Sequence, residues 1–435
     1  MKDFIKYVSL SVLGMLCFSG FVIIDTLFIA AALGSDGLAS LNISISVFSI
    51  LQGVGLMIGI GGATRFAILK SEKEQARANS TFMHSLALGG FFALVFVAVG
   101  AFFSVPLARL LGADYSILDM VVDFVRTTLL FSPVLMLNNI LIAFVRNDNN
   151  PKLAMAGMVT GSLSNIVLDY VFLFPLGMGM FGAALATGIS VMLSIGVLLL
   201  HFAQKKAGFG LAACRIRIRR IFDVVALGSS ALVGELAFAV ALITFNLVIL
   251  GLEGNIGVAA FGVVANIAIV ALNVFSGVAQ GVQPLMSKGH GLRDTQVVKQ
   301  NLKYAVVLVF GLAVLVYGAV NFFSAPIVSA FNSENDATLA QLATSGLRLY
   351  FIGLIFAGIN MICATFFSAV DNAKTGLFIS VLRSCVIIIP MLLVLSVILG
   401  MDGVWLSFVL AEAIVFIISA VLVYGKFRLR ITHSR

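Results

Sequence analysis

Charged residues are scarce in this chain. Of its 435 residues only 11% are Asp, Glu, Lys or Arg, whereas 61% are hydrophobic, and the mean hydropathy is +1.13. Soluble domains are about half apolar and about a quarter charged. The composition therefore excludes an ordinary soluble enzyme, a disordered chain and a typical nucleic-acid-binding protein.

Cysteine, proline and histidine are also rare. The four cysteines show no close pairing and three lie in apolar runs, which favours reduced packing residues over disulfides. The four His are dispersed, so the sequence does not predict a metal site built from His ligands. The only metal ion that we consider is Na⁺, at the carboxylates described below. No Gly-Lys-Ser/Thr follows the glycines at 53–62, which indicates close helix packing rather than a phosphate loop. Without nucleotide or other cofactor motifs, we expect an ion gradient to supply the energy of any transport.

Long apolar runs dominate what remains. A membrane-crossing helix needs about 20 apolar residues, and the hydropathy pattern predicts an all-α integral membrane protein with twelve spans. The first run lacks a clear cleavage site and carries an Asp, so we interpret it as a retained span. The predicted spans are 6–33, 38–69, 82–104, 117–146, 151–174, 181–203, 222–250, 257–287, 301–324, 337–369, 376–398 and 402–424.

The Lys and Arg residues predict the orientation of these spans. With a cytoplasmic N-terminus, inner loops and inner span ends hold 24 of the 27, including Arg383, and the outer loops hold only Arg109. Arg126 and Arg348 fall inside spans 4 and 10. Because positive residues favour the cytoplasmic side, we expect both termini to be cytoplasmic.

The two halves of the chain resemble each other at an offset of 220 to 223 residues. The segment 102–106 (FFSVP) matches 322–326 (FFSAP), Arg126 matches Arg348, and 176–178 (LGM) matches 399–401. Six spans per half is an even number, so the repeats are parallel and related by a pseudo-two-fold axis along the membrane normal. We therefore expect an N-lobe at 1–204, a basic cytoplasmic linker at 205–221 and a C-lobe at 222–435. The arrangement favours a transporter that uses alternating access over a channel.

Polar residues cluster at one depth in the first half. Asp25 in span 1, Asp169 in span 5 and Thr187 in span 6 all lie near the outer ends of their spans, and Asn165 is one helical turn from Asp169. Ionisable groups within a membrane are costly and mark functional sites by default. Oxygen groups of this kind suit Na⁺ or a shared proton, although Asp169 could instead bond a neighbouring helix and Asp25 could cap a helix break.

The second half lacks this cluster. By the repeat, Asp25 corresponds to about Leu242, Asp169 to about Leu392 and Thr187 to about Phe408. Structure alone gives no reason to place such groups in one half only, so the asymmetry favours the functional interpretation.

Other polar residues within the spans are candidates for a substrate cavity. Glu235 and Glu412 either attract a cationic substrate or pair with a cation such as Arg348. Gln52 and Gln283 either contact substrate or form hydrogen bonds between helices. Asp123 and Arg126 are three residues apart and predict an ion pair. The cavity candidates are Gln52, Asn139, Glu235, Gln283 and Glu412.

Five short motifs then resemble the bacterial branch of the multidrug and toxic compound extrusion (MATE) family. They cover nearly the whole chain in order, and each is modest alone. They are 23–29 (IIDTLFI), 59–62 (GIGG), 165–169 (NIVLD), 182–187 (GAALAT) and 281–284 (GVQP).

The resemblance implies a cation-coupled antiporter with two six-helix lobes, located in a bacterial inner (cell) membrane. It implies that Asp25, Asn165, Asp169 and Thr187 form the cation site, with the backbone carbonyl near Ala183 as a further ligand. The chain departs from the family at 9–11, where members often carry Pro in helix 1, at Tyr170 and at 228–230. These departures spare the carboxylates and raise the question of an altered conformational cycle or a specialised substrate.

The sequence thus predicts an H⁺- or Na⁺-coupled exporter, not an enzyme, whose substrates are organic, cationic amphipathic compounds. We expect it to work in the lipid bilayer as a monomer and to have no nucleic-acid partner. The alternative is a flippase for a lipid-linked sugar or peptidoglycan precursor, which would use Arg126 and Arg348 to hold pyrophosphate. A non-transporting scaffold or receptor is a third possibility, which the buried acidic cluster disfavours.

Overall fold

A computed structural model of the chain describes residues 1–204, 207–211, 214–331 and 336–432, and the regular elements in these ranges are all helices. They are α1 Lys2–Ser71, α2 Gln75–Phe102, α3 Ser104–Leu110, α4 Leu118–Leu130, α5 Ser132–Asn147, α6 Pro151–Leu173, α7 Gly179–Ala203, α8 Ile218–Gly291, α9 Thr295–Phe322, α10 Ser324–Phe331, α11 Ala337–Ala369, α12 Ala373–Val381, a π-helical turn Leu382–Val386 and α13 Ile388–Thr432.

The twelve predicted spans are confirmed within these ranges. Eight helical stretches are long and apolar enough to cross a membrane, and the pair α4 and α5, bent by 52°, forms a ninth. Three of the nine contain an internal break at glycine: α1 at Gly34, α8 at Gly254 and α13 at Gly400. Each break divides a long helix into two spans, which brings the number of spans to twelve.

The breaks have a backbone geometry that only glycine adopts readily. Gly34 has φ 65° and ψ −150°, Gly254 has φ 62° and ψ −151°, and Gly400 has φ 58° and ψ −135°. A side chain in this region of φ and ψ is strained. A Cβ at any of the three positions would meet nothing within 4 Å, so the backbone conformation, and not crowding, requires glycine here.

The internal repeat extends to the joints between helices. Gly34 and Gly254 are 220 residues apart, as are Lys73 and Arg293, which both have positive φ. The helices α2 and α9 that follow have the same length, 28 residues. The two halves therefore share their turns as well as their spans.

The helices form two compact units. The first comprises Met1–Leu236 with Ser287–Thr295, and the second comprises Ala237–Met286 with Gln296–Arg435. Glycines bring helices of the first unit close together, as the sequence indicated. A Cβ on Gly59 would collide with the backbone carbonyl of Asn139, and one on Gly61 with that of Val224.

The predicted ion pair between Asp123 and Arg126 is wrong. Arg126 instead donates from its guanidinium to the carbonyl of Ala101, at 3.5 Å. Ala101 lies in the last turn of α2, where carbonyl groups have no helical partner and carry the negative end of the helix dipole. The cation is therefore stabilised at this helix end, and it interacts with the Asp123 carboxylate only through charge, without a direct ion pair.

Part of the basic linker lies against the first unit. Phe209 is 3% exposed, and its ring lies 4.7 Å from that of Phe82 and 5.4 Å from that of Phe144. It also stacks on His201, with ring centroids 5.6 Å apart. The segment 207–211 is thus held by an aromatic core and is more than a basic anchor near lipid headgroups.

The buried carboxylate of Asp148 binds the backbone of Gly208, the residue before Phe209. Asp148 lies between α5 and α6, outside the spans, and accepts hydrogen bonds from Lys70 Nζ, from the Gly208 backbone N–H and from His201 Nε2, the last at 2.8 Å. The amide of Asn150 donates to Nδ1 of His201 at 3.2 Å, so Nε2 carries the proton that His201 donates to Asp148.

The charge of Asp148 is stabilised by these partners. Burial acts to raise the pKa of this carboxyl, but the hydrogen bonds from His201, Lys70 and Gly208, together with the charge of Lys70, outweigh it and lower the pKa below the ordinary value. Asp148 is therefore ionised at neutral pH and holds the linker against α1, α5 and α7.

Candidate cation site and the polar clusters of the two units

Three elements of the first unit bring the predicted cation-site residues together. The first half of α1 (2–33) carries Asp25, α6 carries Asn165 and Asp169, and α7 carries Thr187. A small apolar core holds these helices in place at the neighbouring turns; its buried members are Ile29, Leu41, Phe124, Leu173, Met180, Ala183 and Ala184. The carboxyl groups of Asp25 and Asp169 lie close enough to interact.

The hydrogen bonds of the site run in one direction. Asn165 donates from its amide nitrogen to the hydroxyl oxygen of Thr187 at 3.3 Å, and Thr187 donates in turn to the carbonyl of Ala183 at 3.2 Å. The donors of Asn165 and Thr187 therefore point toward α7. The amide oxygen Oδ1 of Asn165 is left to face away from them.

Four buried acceptor oxygens in this cluster have no hydrogen-bond donor among the described residues. They are Oδ1 of Asp25, Oδ1 of Asn165 and both carboxylate oxygens of Asp169. Asp169 is 0% exposed and Asn165 is 1% exposed. Isolated buried carboxylates are very costly, and oxygen ligands are what a hard cation takes. Protons or a metal cation would compensate this charge.

Two of the predicted cavity residues contact each other in the first unit. Asn139 on α5 donates from its amide nitrogen to Oε1 of Gln52 on α1, at 3.0 Å. Glu235, on α8, packs against α1 at the residue next to Gln52: a Cβ added to Gly53 would be 3.2 Å from the Cβ of Glu235. Glu235 has no hydrogen-bond or ion-pair partner among the residues that the structure describes. The first unit thus contains a polar contact between Gln52 and Asn139, and it contains Glu235 packed against the same helix, α1.

The other two cavity candidates lie in the second unit. Gln283, on α8, is 4% exposed, and Glu412, on α13, is 2% exposed. Glu412 does not meet Arg348, the partner that the sequence suggested. It pairs with Arg383, which donates to Oε1 of Glu412 from Nε at 3.1 Å and from Nη2 at 2.8 Å.

A third residue completes this charged cluster. Asn360, on α11, is fully buried and donates to Oε2 of Glu412 at 2.7 Å and to the Glu412 carbonyl at 2.9 Å. Every carboxylate oxygen of Glu412 is thus engaged. Arrangements of this kind keep a buried ion pair from being an uncompensated charge.

Sequence reasoning counted Arg383 among the basic residues of the inner span ends and did not pair it with Glu412. The structure places it ten residues inside the stretch 373–399, on the π-helical turn Leu382–Val386. Such turns are rare and frequently lie at functional sites. A lone Arg within an apolar run was a visible signal of an intramembrane pair, but Glu412 is 29 residues away and the sequence does not say which carboxylate faces it.

A protein-family model matches most of the chain. The MatE family model matches residues 11–171 and 231–394, which cover most of both units. The multidrug export protein MepA of Staphylococcus saprophyticus subsp. saprophyticus is 24% identical over 404 residues, which are 92% of this chain and 88% of that protein. MepA of Staphylococcus aureus strain MRSA252 is 23% identical over the same length.

Solved structures share the fold. A MATE crystal structure in complex with MaL6 superposes with a TM-score of 0.93 at 20% identity, covering 100% of this chain and 97% of that one. An outward-facing multidrug resistance MATE transporter of the MOP superfamily gives a TM-score of 0.92 at 21% identity, with the same coverage. Given the family match along both units and the twelve-span helical fold, the chain belongs to the MATE family of membrane transporters, which are not enzymes.

Proposed function

We propose that this protein is a cation-coupled antiporter that exports organic, cationic amphipathic compounds by alternating access. The observation that carries the proposal is the set of four buried, donor-free acceptor oxygens on Asp25, Asn165 and Asp169. Such a set needs positive charge to be stable within a membrane. The named activity of the MepA relatives, multidrug export, supports an organic substrate.

Linkage explains how this site would drive export. A cation that binds one conformational state more tightly shifts the protein toward that state, and a substrate that favours the other state is then released. A proton would neutralise a carboxyl of the pair, whereas Na⁺ would bridge the ionised pair with the Asn165 oxygen. Both ions would use the same oxygens, so they would compete. The Ala183 carbonyl already accepts from Thr187 and would join the ligands through its second lone pair.

Gln52, Asn139 and Glu235 are our candidates for the substrate contact in the first unit. The carboxyl group of Glu235 has no cationic partner of its own among the described residues, so a cationic substrate would supply one. We further propose that both termini are cytoplasmic, that residues 1–204 and 222–435 are the two lobes joined by 205–221, and that a monomer is sufficient for transport.

No observation favours the flippase alternative. It would need two arginines to hold a pyrophosphate, but Arg126 donates to the Ala101 carbonyl and Arg348 is exposed. The third arginine within a span, Arg383, is paired with Glu412. We therefore retain the exporter as the proposed function.

Dye transport in vesicles tests the proposal. Purified protein is reconstituted, a pH gradient and a Na⁺ gradient are imposed separately, and movement of a fluorescent cationic dye is followed. We expect one gradient to drive dye movement, and Asp25→Asn and Asp169→Asn each to reduce it to the rate of protein-free vesicles. Asp36→Asn is the matched control, because Asp36 is an exposed carboxylate on the same helix, and it should transport as wild type.

The outcomes separate the parts of the proposal. Gradient-driven transport that survives Asp25→Asn and Asp169→Asn would refute the cation site but leave the exporter. Absence of transport under both gradients, with folded protein, would refute the exporter and direct the next assay to lipid-linked substrates. The gradient that works identifies the coupling ion.

A further inference from the structure

A groove opens in the second unit between α9, α11 and α13. Its volume is about 560 Å³, within the range of about 300–1,000 Å³ that is usual for small-molecule sites. Its walls are apolar along most of their length, with Leu302 and Val306 on α9, Cys363 on α11, and Phe416 and Ala420 on α13. A hydrocarbon chain would therefore be a better occupant than a polar molecule.

Both charges of the groove lie at one end and both are positive. Lys299 stands at the beginning of α9 and Arg428 near the end of α13, and the described residues that line the groove include no Asp or Glu. The Lys299 ammonium lies 4.9 Å from the ring centroid of Phe427. A helix of 28 residues such as α9 is about 42 Å long, whereas the hydrocarbon core is about 30 Å thick. Polar residues predominate in the first two turns of α9, whereas its last turns are mostly apolar, so we expect the first turns to extend to the depth of the lipid headgroups.

The internal repeat shows that the equivalent space in the first unit is filled. At offsets of 220 and 223, Leu302 corresponds to Phe82 and Tyr424 to His201. In the first unit the linker residue Phe209 lies between these positions, 4.7 Å from the ring of Phe82 and stacked on that of His201 at 5.6 Å. In the second unit α13 continues as a helix along the groove to Thr432, so no residue up to that point turns back to fill the groove in the same way.

We propose that this groove binds an anionic phospholipid, with one acyl chain along the apolar walls and the phosphate between Lys299 and Arg428. The paired cations distinguish this occupant from the others. A cationic drug would be repelled by them, and a zwitterionic lipid would bring its own cation to the same place. Basic pockets between helices at headgroup depth are a known means of binding acidic lipids. The proposal concerns a lipid site and is independent of the export activity.

Native mass spectrometry of the full-length protein tests it. Protein stripped of lipid in detergent is titrated with phosphatidylglycerol or with phosphatidylcholine of the same acyl chains. We expect wild type to retain phosphatidylglycerol preferentially. Loss of two cationic contacts in Lys299→Gln/Arg428→Gln should weaken its binding by about thirty-fold, to the level of phosphatidylcholine. Lys303→Gln/Lys374→Gln removes the same charge from exposed positions outside the groove and should bind as wild type.

A second variant tests the apolar part of the groove. Ala420 lies on the wall and is exposed, so Ala420→Phe should fill the groove and reduce lipid retention while the melting temperature stays near that of wild type. Equal retention of the two lipids, or unchanged phosphatidylglycerol binding in Lys299→Gln/Arg428→Gln, would overturn the proposal. Binding of phosphatidylglycerol only after deletion of residues 433–435 would also overturn the proposal, because those residues, and not lipid, would then occupy the groove.

Discussion

The burial of Phe209 makes the linker a measurable part of the first unit. Replacing Phe209 with Ala removes a ring that is 3% exposed and contacts Phe82 and Phe144. Truncating a buried Phe to Ala costs about 3–5 kcal/mol. Since about 1.4 kcal/mol is a factor of ten, the smaller value raises the population of undocked linker by about 150-fold at 25 °C.

Limited proteolysis reads this population directly. Lys205 and Lys206 directly precede the docked residues 207–211, and cleavage by trypsin at these two sites, identified by mass spectrometry of the fragments, is the measure of undocking. When opening and closing are fast, the cleavage rate follows the open population. We expect Phe209→Ala to be cleaved at least 100-fold faster than wild type at low trypsin concentration.

The matched control is Leu211→Ala. Leu211 lies two residues further along the same segment and is 81% exposed, so its truncation should change the cleavage rate less than about three-fold. Equal cleavage of Phe209→Ala and Leu211→Ala would show that the aromatic core does not hold the linker, and would refute the reasoning.

Three further predictions concern charge and backbone. The pKa of Asp148 is lowered in the folded protein, so its charge stabilises the fold above the ordinary pKa of about 4. This stabilisation is lost as the pH falls through the folded pKa. The difference in melting temperature between wild type and Asp148→Asn should therefore stay constant from about pH 8 to pH 5 and shrink below about pH 4. Arg383→Gln and Glu412→Gln should each destabilise the protein by about 3–5 kcal/mol in thermal unfolding, and Arg383→Met/Glu412→Leu should destabilise it less than either. A double variant that loses the sum of the two single losses would contradict this prediction. Gly34→Ala should cost about 1–3 kcal/mol because of the positive φ, whereas Gly20→Ala, in open space within the same helix, should be neutral or stabilising when melting temperatures are compared.

The span pattern could be predicted from the sequence because hydropathy depends on local composition. Even the helix breaks were indicated, since the predicted spans ended and restarted around Gly34 and Gly254. Span boundaries were less accurate. The helices α2 and α9 begin at Gln75 and Thr295, seven and six residues before the predicted edges, because their polar first turns remain helical outside the apolar run.

The cation-site residues could be chosen from sequence because the depth of a residue in the membrane follows from its distance, in residues, from the end of its span. Asp25, Asp169 and Thr187 were grouped by their distance from span ends, and the structure places them on α1, α6 and α7 of one unit. Their role as a cation site stays a prediction until ion coupling is measured.

Pairings between helices could not be predicted in the same way. The contact of Arg383 with Glu412 depends on the rotation of two helices about their axes, and a single apolar sequence does not determine that rotation. The docking of Phe209 was missed for a similar reason: its partners on α1, α2, α5 and α7 are distant in the chain, and the basic residues around it indicated a solvated loop.

The joints that the two halves share bear on how the molecule came to be. Positive-φ residues recur at matching places: Gly34 with Gly254, Lys73 with Arg293, Asn149 with Asp371 and Gly177 with Gly400. A helix face tolerates many substitutions of similar size, but a backbone joint with a fixed conformation tolerates few. The matching joints fit descent from one duplicated segment, in which the turns kept their geometry while the first half retained or gained the acidic cluster and the second a buried arginine–glutamate pair.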